Sequence, residues 1–228
     1  MSEIRDIRPY LVYENVREKI VFKLINTERN SELLEDVLHI PFMDLSIVFG
    51  CVVRQKEDAV GYILVHNVHL RLWDVTVEKL FREARENTPK MMPYEVRNMA
   101  EVMCEFEEAE HPEEYDHDRC MEKFSDGAPM YMLSNKKGIE GAACLIYPNL
   151  IRDLAETVDS SLYIIPSSIH ELLLIPAENA DEDTNTEIEK ELRDMIKDIN
   201  DTQTAPDEIL SYSLYYYDKT EGKLIIKE

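Results

Sequence analysis

The stretch Ser160-Ser-Leu-Tyr-Ile-Ile-Pro-Ser-Ser-Ile-His-Glu-Leu-Leu-Leu-Ile-Pro176 constrains the fold more than any other part of the chain. Its two apolar runs, Leu162–Ile165 and Leu172–Ile175, are too short for helices, and each is closed by a proline that cannot donate to a sheet ladder. They read as adjacent buried strands joined by a polar turn that carries Ser167, Ser168 and His170. A chain with such a hairpin needs further strands beside it and helices to cover it.

The remaining segments supply both. A short helix to about Lys19 leads into a strand over Ile20–Ile25, and Thr27–Asp36 reads as a short helix with Thr27 or Asn30 as its cap. The segment His39-Ile-Pro-Phe42 turns the chain. Met43–Val53 and Gly61–Val65 then form a hairpin, with Glu57 and Asp58 in its turn. A helix follows His66 and Asn67 and stops near Asp74. Thr76 caps the next, whose stripe of Val77, Leu80, Phe81 and Ala84 ends before Pro89. Tyr94–Glu108 reads as helical, and Glu107–Asp118 as an acidic solvated loop.

Beyond it, Pro129–Ser134 and Gly141–Tyr147 read as strands around the turn Asn135–Gly138, and Pro148 opens a helix carrying Leu150, Ile151, Leu154 and Val158. Thr184-Asn-Thr-Glu187 has the form of a capping box ahead of Ile188, Leu192, Met195, Ile196 and Ile199. A last hairpin pairs Ser213–Tyr217 with Lys223–Lys227. Strands scattered among helices and joined by short turns give an α+β fold, a largely antiparallel sheet with amphipathic helices packed on it. The expected organisation is a single domain over 1–228, the acidic stretch 107–118 being the best place for an internal boundary.

Composition narrows the function. With 47 acidic against 25 basic residues the formal charge is −22, which opposes unassisted binding to nucleic-acid phosphates, argues for solubility and permits a basic protein partner. No apolar run is long enough to span a bilayer, and the N-terminus lacks the apolar stretch of a signal peptide, so the expectation is a cytoplasmic protein with no membrane partner. Cys51, Cys104, Cys120 and Cys144 form no CxxC pair and read as reduced thiols.

Several segments in order resemble a bacterial family of unknown function, catalogued as an uncharacterised domain. They are Lys19–Val37 with its Ile25-Asn-Thr-Glu-Arg-Asn30 core, Tyr62-Ile-Leu-Val-His-Asn67 with the helix to Trp73, Gly141-Ala-Ala-Cys-Leu-Ile-Tyr-Pro148, Leu162–Pro176 and Asn200-Asp-Thr-Gln-Thr204. The similarity runs from about Val16 onward. It implies a bacterial intracellular protein and carries no assigned activity. The resemblance also carries the expectation of a further N-terminal segment in family members, which would make this chain either a short member or a truncated copy.

The candidate sites each have a plain structural counterpart. Ser167, Ser168 and His170 could pair a nucleophile with a general base, but no glycine forms a nucleophile elbow and a polar turn bonding its own backbone accounts for the same residues. His111, His117 and Cys120 could ligate zinc, although the usual ligand spacing is absent and acidic loops collect such residues by composition. Asp181-Glu-Asp-Thr-Asn-Thr-Glu187 starts like a calcium loop but has Thr186 where glycine belongs and Leu192 where a glutamate belongs. His66-Asn67-Val-His69 sits where a strand meets a helix, with Asn67 the natural cap. Tyr212, Tyr215, Tyr216 and Tyr217 suit an interface or a core edge, the core being slightly favoured.

No cofactor is expected. The leading expectation is a non-catalytic interaction or regulatory module. The alternative is a small hydrolase or nucleotide-handling enzyme using the Ser167/Ser168/His170 turn, which requires a pocket there and a carboxylate within reach of His170. A third reading is an acidic nucleic-acid mimic that occupies a basic protein.

Overall fold

A computed structural model describes residues 8–55, 60–125, 127–177 and 182–227. The chain falls into two compact units, one reaching to Pro93 and the other running from Tyr94. Both carry antiparallel sheets covered by helices, and the α+β fold read from the sequence is what the chain adopts. The acidic stretch 107–118 lies inside the second unit.

In the first unit the short helix α1 (Tyr13–Val16) and a 3-10 turn lead into β1 (Ile20–Asn26). Then come α2 (Ser31–Leu34), β2 (His39–Phe42), β3 (Leu45–Gln55), β4 (Val60–Leu64), α3 (Asn67–Trp73) and α4 (Val77–Met91). β3 is the axis: β1 pairs with it from Asn26↔Leu45 to Ile20↔Cys51, while β2 and β4 share its other edge. β1 is apolar along nearly its whole length because both of its faces are covered. On one side, Phe81 of α4 packs against Phe22 and Phe49 at ring separations of 6.3 and 6.1 Å. On the other, Ile25, Leu34, Val37 and Val48 form a separate buried cluster.

Two expectations for this unit change. His39-Ile-Pro-Phe42 is a strand rather than a turn; Pro41 is tolerated because β2 lies at an edge, where a missing N–H breaks no second ladder. α4 also runs through Pro89 instead of stopping before it. Its last turn is pinned to β1, since Thr88 Oγ1 accepts from Phe22 N at 3.0 Å and Asn87 Nδ2 donates to the Arg17 and Ile20 carbonyls at 2.7 and 3.0 Å.

The second unit contains β5 (Tyr94–Asn98), α5 (Met99–Glu110), α6 (His117–Phe124), β6 (Tyr131–Asn135) and a 3-10 turn over Gly141–Ile146. These are followed by α7 (Leu150–Thr157), β7 (Leu162–Ile165), β8 (Leu172–Pro176), α8 (Glu182–Thr202), β9 (Leu214–Asp218) and β10 (Lys223–Lys227). The sheet order is β10-β9-β7-β8-β6-β5, so the β7–β8 hairpin lies at its centre as the sequence implies. Side chains alternate across the strands. Tyr163, Ile165, Leu173 and Ile175 meet Leu192 and Ile196 of α8, with Ile188 and Ile199 packed around them. The opposite face receives α7 and the 3-10 turn.

Four further expectations are corrected here. Tyr94–Asn98 is a strand paired with β6, and Asn98 then caps α5 by accepting from Ala100 N at 2.8 Å. The 107–118 stretch is not all loop: α5 extends to Glu110, and α6 begins at His117 behind the Asp116 cap. Gly141–Tyr147 winds as a 3-10 turn instead of extending, because it packs against β6 and β8 rather than joining their edge. Thr184 lies inside α8, which already runs from Glu182, so the capping-box reading fails; Asp181, the start of the calcium-like stretch, lies outside the described residues.

α5 and α6 form a helical hairpin between adjacent strands, and Cys104 is disulfide-bonded to Cys120 across it, with Cα atoms 5.7 Å apart. This overturns the reading of all four cysteines as reduced. Cys51 and Cys144 are free and buried. Burial pushes their thiols up, to about 11 and about 12, and it pushes Tyr163 up to about 12 with Glu189 adding to the effect. All three stay neutral in the native state while their unfolded counterparts ionise earlier. Their contribution is therefore complete below the ordinary thiol value near 9 and is lost as pH rises toward the native values. Urea midpoints measured from about pH 8 upward should fall steadily through that window, and iodoacetamide at about pH 8 should modify neither thiol until the chain is unfolded.

Candidate functional site

A cleft of about 450 Å³ opens in the second unit where the turn between β7 and β8 meets the C-terminal end of α8. Met99, Met132, Leu173 and Ile199 give it an apolar floor. Its polar lining is Ser167, Ser168, His170, Glu171, Gln203, Thr204 and Glu208. The hairpin that fixes the fold thus also places the polar groups of the cleft.

The turn is held from several sides. Thr204 Oγ1 donates to the Ser167 carbonyl at 3.0 Å, Ile169 N to the Glu208 carbonyl at 2.8 Å, and Ser134 Oγ to the His170 carbonyl at 2.7 Å. His170 N donates to Ser168 Oγ at 3.0 Å. The hydroxyls of Ser167 and Ser168 both point at Glu171 Oε1, each at 3.4 Å. This is the self-bonded polar turn that serine-rich turns commonly make.

His170 meets the first two requirements of an acid–base site and fails the third. It lines a pocket, and its Nε2 lies 3.3 Å from Glu208 Oε1. However, its Nδ1 receives the Glu140 backbone N–H at 3.1 Å, which fixes that nitrogen as the acceptor and leaves the proton on Nε2, facing the carboxylate. Both ring nitrogens are engaged, and neither serine hydroxyl is bonded to the ring. A general base needs a free lone pair aimed at its nucleophile, and this imidazole has none.

The other candidates are dispersed. His111 and Cys120 line a second cleft of about 390 Å³ between α5 and α6. His117 Nδ1 is instead paired with Tyr115 OH at 2.9 Å, and the Cys120 sulfur is taken up by Cys104. Among the described residues no three His, Cys, Asp or Glu side chains gather as a metal cage. His66, not Asn67, is the cap residue of α3: its N–H reaches His69 Nδ1 at 2.8 Å and its own Nδ1 lies 2.8 Å from Asp36 Oδ2. His69 stacks on Trp73, and burial, followed by the nearby His66, holds its pKa below the ordinary histidine value.

Glu171, Gln203, Thr204 and Glu208 are the polar site residues that sequence spacing did not single out. Thr204 closes the Asn200–Thr204 motif, and Glu171 directly follows His170; Glu208 reaches the cleft through a turn after Pro206 that leaves no periodic trace. No helix among the described residues is long and apolar enough to cross a membrane. No curated protein and no solved structure matches the chain. A family profile, described as a family of unknown function (DUF5688), matches residues 2–219, in agreement with the expected membership of an uncharacterised family. With nearly all of its length covered by that match, the chain belongs to the DUF5688 family.

Proposed function

We propose that the protein is a non-catalytic interaction module whose second unit takes a lysine or arginine side chain of a basic partner segment into the cleft beside Ser167–Glu171. The observation that carries the non-catalytic reading is the double engagement of the His170 ring by Glu140 N–H and Glu208. The choice of ligand follows from the lining. Glu171 and Glu208 stand on the rim, neither lysine nor arginine lines the cleft, and the C-terminal end of α8, with its partial negative charge, forms one wall. The methionine and leucine floor suits the aliphatic stem of a long basic side chain.

Calorimetric titration with a lysine-rich peptide and its glutamate counterpart tests this. The lysine peptide should bind and weaken with salt, and replacing Glu171→Gln and Glu208→Gln should cost about tenfold or more in affinity, while Glu83→Gln with Glu86→Gln on α4 should cost little. Equal losses in both double variants, or no binding, would refute the site. Hydrolysis of p-nitrophenyl acetate that disappears in Ser168→Ala or His170→Ala would replace this reading with the hydrolase.

A further inference from the structure

The disulfide between α5 and α6 is placed unlike a staple inside a core. Cys104 is 1% exposed and does not line the cleft between the two helices, whereas Cys120 is 7% exposed and does. Cys120 is also the only buried residue of α6. The ion pair of Lys123 with Glu107 also ties the helices, both side chains partly open to solvent, and Phe124 of α6 shares a shallow cleft with Met103 of α5. The hairpin is an excursion between β5 and β6, which pair with each other directly through Tyr94↔Asn135 to Asn98↔Tyr131. Releasing α6 therefore leaves the sheet register untouched.

We propose that Cys120 is a thiol-exchange site, open from the cleft to a low-molecular-weight thiol, and that reduction there frees α6 from α5. The incoming thiolate attacks Cys120 Sγ; the Cys120–Cys104 bond breaks and its electron pair leaves with Cys104, which takes a proton from solvent. A second thiol attacks the mixed disulfide on Cys120 and leaves it as a thiol. Two small thiols are oxidised to one disulfide, and the protein gains two electrons and two protons. Basic side chains of His111, Arg119 and Lys123 line the same cleft as the acids Glu107, Glu114 and Asp116, so an anionic attacker meets both signs of charge there.

The test exposes the full-length oxidised protein to millimolar reduced glutathione under native conditions and follows it by peptide mass spectrometry and amide hydrogen exchange. The transient adduct should map to Cys120. Amides of α6 should exchange roughly tenfold faster or more after reduction, with those of β5 and β6 unchanged. Cys104→Ser should form a glutathione adduct at Cys120 with oxidised glutathione, and Cys120→Ser should form none at Cys104. Reduction that occurs only in denaturant, an adduct on Cys104, or unaltered α6 exchange would overturn the proposal. The wild-type measurements decide it even if a serine variant fails to fold.

Discussion

Replacing Gly141 with alanine should destabilise the second unit by roughly 4 kcal/mol or more, at the upper end of what single substitutions do. A methyl group built on Gly141 would fall on Ser134 Oγ and the His170 carbonyl oxygen, and within 2.8 Å of Asn135 N. The latter two are backbone atoms that cannot swing aside. They belong to β6 and to the turn of the 450 Å³ cleft, so the clash moves the rim as well. Thermal unfolding followed by circular dichroism should show a midpoint lower by about 10 °C or more. Adding Ser134→Ala should recover only part of the loss, because the two backbone contacts remain. A variant melting within a degree of the parent would show that this close approach does not exist.

The second large effect is expected at Tyr215. It is fully buried on β9, directly between Ile164 of β7 and Ile226 of β10, and its truncation to alanine should cost about 3–5 kcal/mol. Tyr212, three positions earlier, is 46% exposed and bonds Asp201 through its hydroxyl at 2.9 Å. Its alanine variant should lose no more than about 1 kcal/mol. Urea titration of both proteins separates the two roles. Similar losses would mean that the tyrosine cluster acts as one surface patch rather than as a core strand ending in a surface tether.

Where the sequence was informative, the reason is visible in the packing. Leu162–Ile165 and Leu172–Ile175 read as strands because both faces of that hairpin are covered, leaving no polar alternation to blur the signal. Thr76 marked the start of α4, and its hydroxyl accepts Lys79 N at 3.3 Å. Tyr94–Asn98 misled for the opposite reason: Val96 extends the helical stripe of Met99, Val102, Met103 and Phe106 backwards, and only pairing with β6 makes it a strand. Phe106 itself is 62% exposed, so part of the stripe was not a core face. The α6 helix left little trace because one cysteine is all that it buries.

For the site, Ser167, Ser168 and His170 were legible as neighbours, and all three line the cleft. The deciding facts were not legible. Glu140 N–H occupies Nδ1 from a residue in the left-handed region just ahead of the 3-10 turn, and the apolar run after it has the pattern of a strand. No local pattern could reveal a backbone donor that arrives from a different element.

The order β10-β9-β7-β8-β6-β5 also governs how quickly the second unit can assemble. The β7–β8 and β9–β10 ribbons join neighbours in the chain, whereas β9 reaches β7 only after the whole of α8 has been traversed, and β6 reaches β8 only after α7 and β7. These distant closures lose chain entropy before contacts repay it, which sets the refolding of such sheets in the range of about milliseconds to seconds. Until β9 arrives, the inner ribbon has an unprotected edge, and that interval is when newly made copies of the chain are most prone to stick to one another.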